Sequence, residues 1–133
     1  MHLIINTAEP IKTQVAIAQD NFIIAKKTLK SKHHQSEALL PAIAKFLPKN
    51  KIKELEGIIV VSGPGAFTSL RIGITIANTL AYALKIPIVG IKQTEFKNLE
   101  DLAKIGQTRL KKLKSRKLVK PFYNKEPNIT KSK

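Results

Sequence analysis

The sequence predicts an α/β domain on a mixed five-stranded sheet, three antiparallel strands followed by an αβαβ run. Three observations predict it. First, Ile58-Ile59-Val60-Val61 is a β-branched run with the length of a strand buried on both faces. Ser62-Gly63-Pro64-Gly65 breaks it, helix formers run from Ala66 to about Leu84, and Pro87 precedes Ile88-Val89-Gly90-Ile91. That strand–loop–helix–strand order joins parallel strands by a right-handed crossover. Second, Asp20-Asn21 is a two-residue hairpin signal between apolar segments. Third, Leu39, Leu40, Ile43, Ala44 and Leu47 recur at helical steps between the hairpin and the crossover.

The elements follow in order. His2–Thr7 reads as a strand and Ala8-Glu9-Pro10 as a turn. Gln14 to Ala18 alternates polar and apolar residues, which predicts a half-exposed antiparallel strand, and Phe22-Ile23-Ile24-Ala25 is the third. Lys26 to Gln35 is polar and basic and reads as a connection. Ser36 is placed to cap the first helix, and Pro41 falls near its first turn, where a missing amide costs least. Pro48-Lys49-Asn50 ends it, and Lys51 to Glu56 leads to the central strand. Beyond Ile91, Thr94 to Ile105 reads as one amphipathic helix, and Arg109 to Lys120 as a second piece or a disordered arm.

The helix after the glycine loop is apolar on two sides. Phe67, Leu70, Ile74, Ala77, Ala81 and Leu84 occupy one side, and Ile72, Ile76, Thr79, Leu80 and Ala83 cover much of the other. A surface helix ordinarily has one apolar stripe. Ser69, Gly73, Ala77 and Ala81 also form a smooth ridge along which a backbone could approach. Two readings follow: a helix buried in a three-layer domain, or one packed on its own sheet and on a second subunit. A membrane span is not expected, because Arg71, Thr75, Asn78 and Thr79 interrupt the apolar run.

Composition narrows the classes. A chain of 133 residues suits one domain, and without cysteine there is neither a disulfide framework nor thiolate chemistry. No basic-then-apolar leader opens the sequence, so a cytoplasmic location is the default expectation. The net charge is +15, and from Arg109 onward ten Lys or Arg face Glu126 alone. Such a balance favours polyanions or acidic protein surfaces.

Other chemistry finds little footing in the residues. His33 and His34 are adjacent and point apart, and His2 is distant in sequence, so no metal site is expected. Ser62 is not in a nucleophile elbow and no His follows it, which argues against a hydrolase. Gly63, Pro64 and Gly65 precede a helix N-terminus and could hold an anion, but lack the Lys-Ser/Thr ending of a P-loop; a tight packing turn is the simpler reading.

Residues 62–73, Ser-Gly-Pro-Gly-Ala-Phe-Thr-Ser-Leu-Arg-Ile-Gly, closely resemble the GPGSFTGxRIG signature of the TsaB family, also called YeaZ. Leu3-Ile4-Ile5-Asn6-Thr7, Ser36-Glu37-Ala38-Leu39-Leu40-Pro41 and Pro87-Ile88-Val89-Gly90-Ile91 resemble its first strand, first helix and later strand. Pro121-Phe122-Tyr123 is a fainter echo of its ending. The resemblance implies a half-domain of the actin, hexokinase and Hsp70 (ribonuclease H-like) fold. It also implies a non-catalytic role: a scaffold for the TsaD transferase, which adds threonylcarbamoyl to adenosine beside the tRNA anticodon, with the TsaE ATPase joining the assembly. No cofactor is expected. By analogy the interface would comprise Leu39, Leu40, Ile43, Leu70, Arg71, Ile72, Gly73, Ile76, Ala77 and Leu80. The same helices could also pair two copies of the chain.

The sequence departs from the family at Asn6, where Asp is usual, at Gln35 in place of His, and at Ser69 in place of Gly. Only some thirty residues lie between Ile91 and Pro121, against a second half of about a hundred in a typical family member. Residues 1–95 are therefore expected to be the TsaB-like domain and 96–133 a short basic extension, as in a minimal or truncated form. Without a second half, the cleft that holds nucleotide in this superfamily cannot close. The alternative function is an RNA-binding module acting through the arm, with Arg109, Lys111, Lys112, Lys114, Arg116 and Lys117 as contacts to tRNA.

Overall fold

His2–Asn6 forms β1, the middle strand of a five-stranded sheet. Lys12–Gln19 (β2) pairs antiparallel with β1, and Phe22–Lys30 (β3) pairs antiparallel with β2 at one edge. On the other side Gly57–Gly63 (β4) runs parallel to β1, and Ile88–Lys92 (β5) runs parallel to β4, giving the order β3-β2-β1-β4-β5. The helices are Gln35–Phe46 (α1), the short Lys49–Ile52 (α2), Phe67–Leu84 (α3) and Leu99–Lys112 (α4), with a single 3-10 turn at Gln93–Glu95. The structure, a computed structural model, describes residues 1–9, 12–30, 35–47, 49–65, 67–113 and 119.

Strand alternation sorts the core into two layers. Leu3, Ile4 and Ile5 are all fully buried, so β1 is covered on both faces. α1 and α3 pack together on the face reached by Thr7, against which Gly73 of α3 sits. α4 covers the opposite face: Gly106 lies on Ile59, Leu110 on Gly57, and the Gln107 side chain meets His2. All seven residues of β4 are buried, as its unbroken apolar run predicts. At the β2–β3 turn Asp20 and Asn21 both take positive φ, 53° and 71°, the geometry that matches strand twist in a two-residue hairpin.

Five expectations need correction. α1 begins at Gln35, so Ser36 lies inside it rather than capping it, and Pro41 falls in its second turn. β2 is buried from Val15 to Ala18 rather than half-exposed. β3 does not stop at Ala25 but continues through Lys26-Lys27-Thr28-Leu29 to Lys30, and β2 begins at Lys12, because these segments pair with each other. Residues 49–52 carry a further helical turn inside the predicted connection. The region after β5 is not a helix 94–105 with a separate piece from 109; Leu99–Lys112 is one helix. Asn98 caps it by accepting from Asp101 N–H at 2.8 Å, and its basic last turn complements the helix dipole. Leu102, Ala103 and Leu110 join the same apolar cluster as the strands.

Candidate protein-docking face

The loop after β4 and the loop after β1 meet at the end of the sheet. Gly63 takes φ 117°, which glycine alone adopts freely, and the Gly63–Pro64 peptide is cis. A Cβ on Gly65 would lie 2.5 Å from the Ala8 carbonyl oxygen, so the glycine loop is packed against the turn after β1. Asn6 Oδ1 accepts from the Ala8 N–H at 3.0 Å, which ties the amide into that turn. Among the described residues the buried Thr7 hydroxyl finds no hydrogen-bond partner; it lies beside Gly73, where a Cβ would come within 2.1 Å of it. Gly63, Pro64 and Gly65 thus form a turn that brings α3 onto β1.

The small ridge of α3 serves the chain's own core. Ser69, Gly73, Ala77 and Ala81 are all buried, and Leu70 and Ile74 beside them are closed off as well. On α1, Leu39 and Ile43 are 1% exposed. Five residues of the expected interface, Leu39, Ile43, Leu70, Gly73 and Ala77, are therefore inside the domain with no free surface. The other five reach the surface. Leu40 is 49% exposed, Arg71 is exposed, and Ile72, Ile76 and Leu80 form a half-buried ridge at four-residue steps along α3. Next to that ridge lies an outward stripe of Arg71, Thr75, Thr79 and Tyr82, with Thr79 Oγ1 donating to the Thr75 carbonyl.

Tyr82 is 83% exposed and was not among the residues expected from the sequence. Its position three turns after Arg71 was the available signal.

One residue from beyond α4 touches α3. Asn78 Nδ2 donates to the Val119 carbonyl at 2.9 Å, and the Val119 N–H donates to Asn78 Oδ1 at 3.0 Å. Val119 also lies over Gly90, where a Cβ would meet it at 2.7 Å. This clasp sits on the flank of α3 facing β5, turned away from Ile72, Ile76 and Leu80. The apolar ridge is not roofed by Val119.

The expected basic contacts divide. Arg109 ion-pairs with Glu95, and that guanidinium holds the Glu95 carboxyl below its ordinary range. Lys111 and Lys112 are exposed on the last turn of α4. Lys114, Arg116 and Lys117 lie outside the described residues, as do His33, His34 and Pro121-Phe122-Tyr123. Among the described residues there is no group of three or more His, Cys, Asp or Glu placed to hold a metal ion, and no helix long and apolar enough to cross a membrane.

At the opposite end of the sheet, an open polar cavity of about 290 Å³ is lined by His2, Asp20, Asn21, Glu56, Gln107 and Lys111 among others. Inside it the Asn21 N–H donates to Gln107 Oε1 at 2.9 Å, and Gln107 Nε2 is 2.8 Å from His2 Nδ1. Burial, then the nearby N-terminal ammonium, push the His2 pKa below 6.5; Glu56 works against this and Lys111 with it.

Comparison with known proteins agrees with this geometry. Residues 21–107 match the model of the family described as TsaD, tRNA N6-adenosine threonylcarbamoyltransferase. The tRNA threonylcarbamoyladenosine biosynthesis protein TsaB of Bacillus subtilis is 34% identical over 83 residues, 61% of this chain and 36% of that protein. The TsaB of Buchnera aphidicola subsp. Acyrthosiphon pisum is 30% identical over 117 residues, 86% of this chain and 49% of that protein. The chain thus spans about half or less of these curated relatives. Among solved structures, YeaZ from Pseudomonas aeruginosa superposes with a TM-score of 0.61 at 25% identity, over 68% of this chain and 43% of YeaZ. The sheet order and the helices on both faces are those of the actin-like, ribonuclease H-like α/β fold. With its signature loop packed on the first strand and its sequence and fold both matched, the chain belongs to the TsaB/YeaZ family, within the group that the threonylcarbamoyltransferase model describes.

Proposed function

We propose that this chain is a non-catalytic docking subunit for a TsaD-like threonylcarbamoyltransferase, acting in the threonylcarbamoyladenosine modification of tRNA, with a TsaE-like ATPase joining the same assembly. The observation that carries this is the half-buried ridge Ile72, Ile76 and Leu80 on a helix whose other side is already packed on its own sheet, with Leu40 exposed on the neighbouring α1. Apolar side chains left half-covered on a rigid helix pair make a groove suited to another helical protein. The names of the relatives supply the pathway, and the tie between Asn6 and Ala8 favours a structural use of the loop where catalytic relatives would handle phosphate.

The test is the mass of the purified chain alone and mixed with the TsaD-like homologue. A mixed complex is expected, and Ile72→Asp with Ile76→Asp should weaken it at least about a hundredfold, the order expected when central apolar contacts are lost. Binding that survives both changes would place the interface elsewhere. If the chain alone has twice its monomer mass and the paired change abolishes this without affecting the mixed complex, the ridge is a homodimer contact instead.

The alternative, RNA binding through the basic arm, draws on the surplus of Lys and Arg after Arg109. Removing residues 114–133 should then abolish most tRNA affinity, and unchanged affinity would reject that reading.

A further inference from the structure

The outer part of the sheet carries exposed lysines on the face that α4 covers only in part. In the β2–β3 ladder Lys12 stands directly opposite Lys30, Gln14 opposite Thr28, and Ala16 opposite Lys26. Cross-strand partners point to the same side. Through β1 the same side carries Asn6 opposite Gln14, Ile4 opposite Ala16 and His2 opposite Ala18. This is the face that α4 covers near His2 and Ile59, yet Lys12, Lys26, Thr28 and Lys30 are exposed. Neither β2 nor β3 contains an Asp or Glu.

Protection of an edge strand explains lysines on β3, since a charged edge resists pairing with other chains. It does not explain Lys12, which lies on the inner strand opposite Lys30, because like charges in that position destabilise a ladder. An anion resting across both would relieve the repulsion. Lys26 and Lys30 are four residues apart, about 13 Å along the strand, too far for a compact ion and suited to an extended polyanion. Thr28 and Gln14 lie between them and can hydrogen-bond phosphate or sugar oxygens.

We propose that the sheet face bearing Lys12, Lys26 and Lys30 is a docking surface for the phosphate backbone of a structured RNA. The choice of RNA among polyanions rests on the proposed role in tRNA modification; the surface is separate from the α1–α3 ridge. Backbone contacts of this kind position the RNA without reading its sequence.

The experiment measures binding of a tRNA transcript to the full chain from about 50 to about 200 mM salt. The variant Lys12→Ala/Lys26→Ala/Lys30→Ala is compared with Lys53→Ala/Lys97→Ala/Lys104→Ala, which removes equal charge from exposed sites elsewhere. The first should lose roughly tenfold or more in affinity and flatten the log–log salt slope by about 2–3, the second under roughly threefold with a slope change below about 1. Equal losses would overturn the proposal, since net charge alone would then account for binding. Competition by polyglutamate matching that by RNA would assign the face to an acidic protein and overturn it too. The sheet-face variant should still join the TsaD-like partner, and the Ile72→Asp/Ile76→Asp variant should still bind tRNA. Loss of one property without the other therefore shows which proposal has failed.

Discussion

α3 and α4 cover opposite faces of one sheet and differ in how they meet water. α4 is capped by Asn98, has Glu100 and Asp101 in its first turn and Arg109, Lys111 and Lys112 in its last, and buries one stripe. It is a helix equipped for solvent on its outer side. α3 has no acid in its first turn and no base in its last, buries Leu70, Ile74, Ala77 and Ala81, and still offers Ile72, Ile76 and Leu80 outward. Its stability comes from what packs against it rather than from its ends. The contrast teaches that two helices on one sheet can meet water differently, α4 through a capped end and charged termini and α3 through a half-buried apolar ridge.

The contrast can be broken at α4 first. Leu102→Ala empties a fully buried site between α4 and the sheet and should cost about 2–5 kcal/mol in denaturant unfolding. A loss under about 1 kcal/mol would mean that α4 is not part of the cooperative core. Asn98→Ala should cost about 1 kcal/mol by orphaning the Asp101 N–H, and Asn98→Ser should restore most of it. The smallest effect is acid sensitivity at His2. Its folded pKa lies below 6.5, so the unfolded chain binds the extra proton first as pH falls. Stability from neutral His2 is whole above pH 6.5 and declines as pH falls through 6.5 toward the folded value. His2→Gln should flatten that part of the stability–pH curve, and an unchanged slope would show that another group titrates there.

Much of the fold was legible because its signals are local. The Ile58–Val61 run, the Asp20-Asn21 turn and the glycine loop each specify their own geometry. The far half of β3 was not legible, since Lys26-Lys27-Thr28-Leu29-Lys30 has no apolar alternation and is a strand only because Lys12 to Ala16 pairs with it. α4 was placed from Thr94 to Ile105 although its start was written in Asn98-Leu99-Glu100-Asp101. At the candidate site, periodicity chose the right helices but could not separate Leu39, sealed inside, from Leu40, its exposed neighbour. Nor could it show that the Gly73 ridge turns inward to Thr7, because that depends on a loop more than sixty residues away.

The Gln107 amide has a practical consequence for anyone dividing this chain. It joins a hairpin tip 86 residues earlier to a strand 105 residues earlier. A fragment cut after residue 95 would strip one side of the sheet, baring Ile4, Gly57 and Ile59 and leaving the Asn21 amide and the His2 ring to water. Excision should therefore keep everything to at least Lys112, and a shorter piece is expected to aggregate through that stripped side.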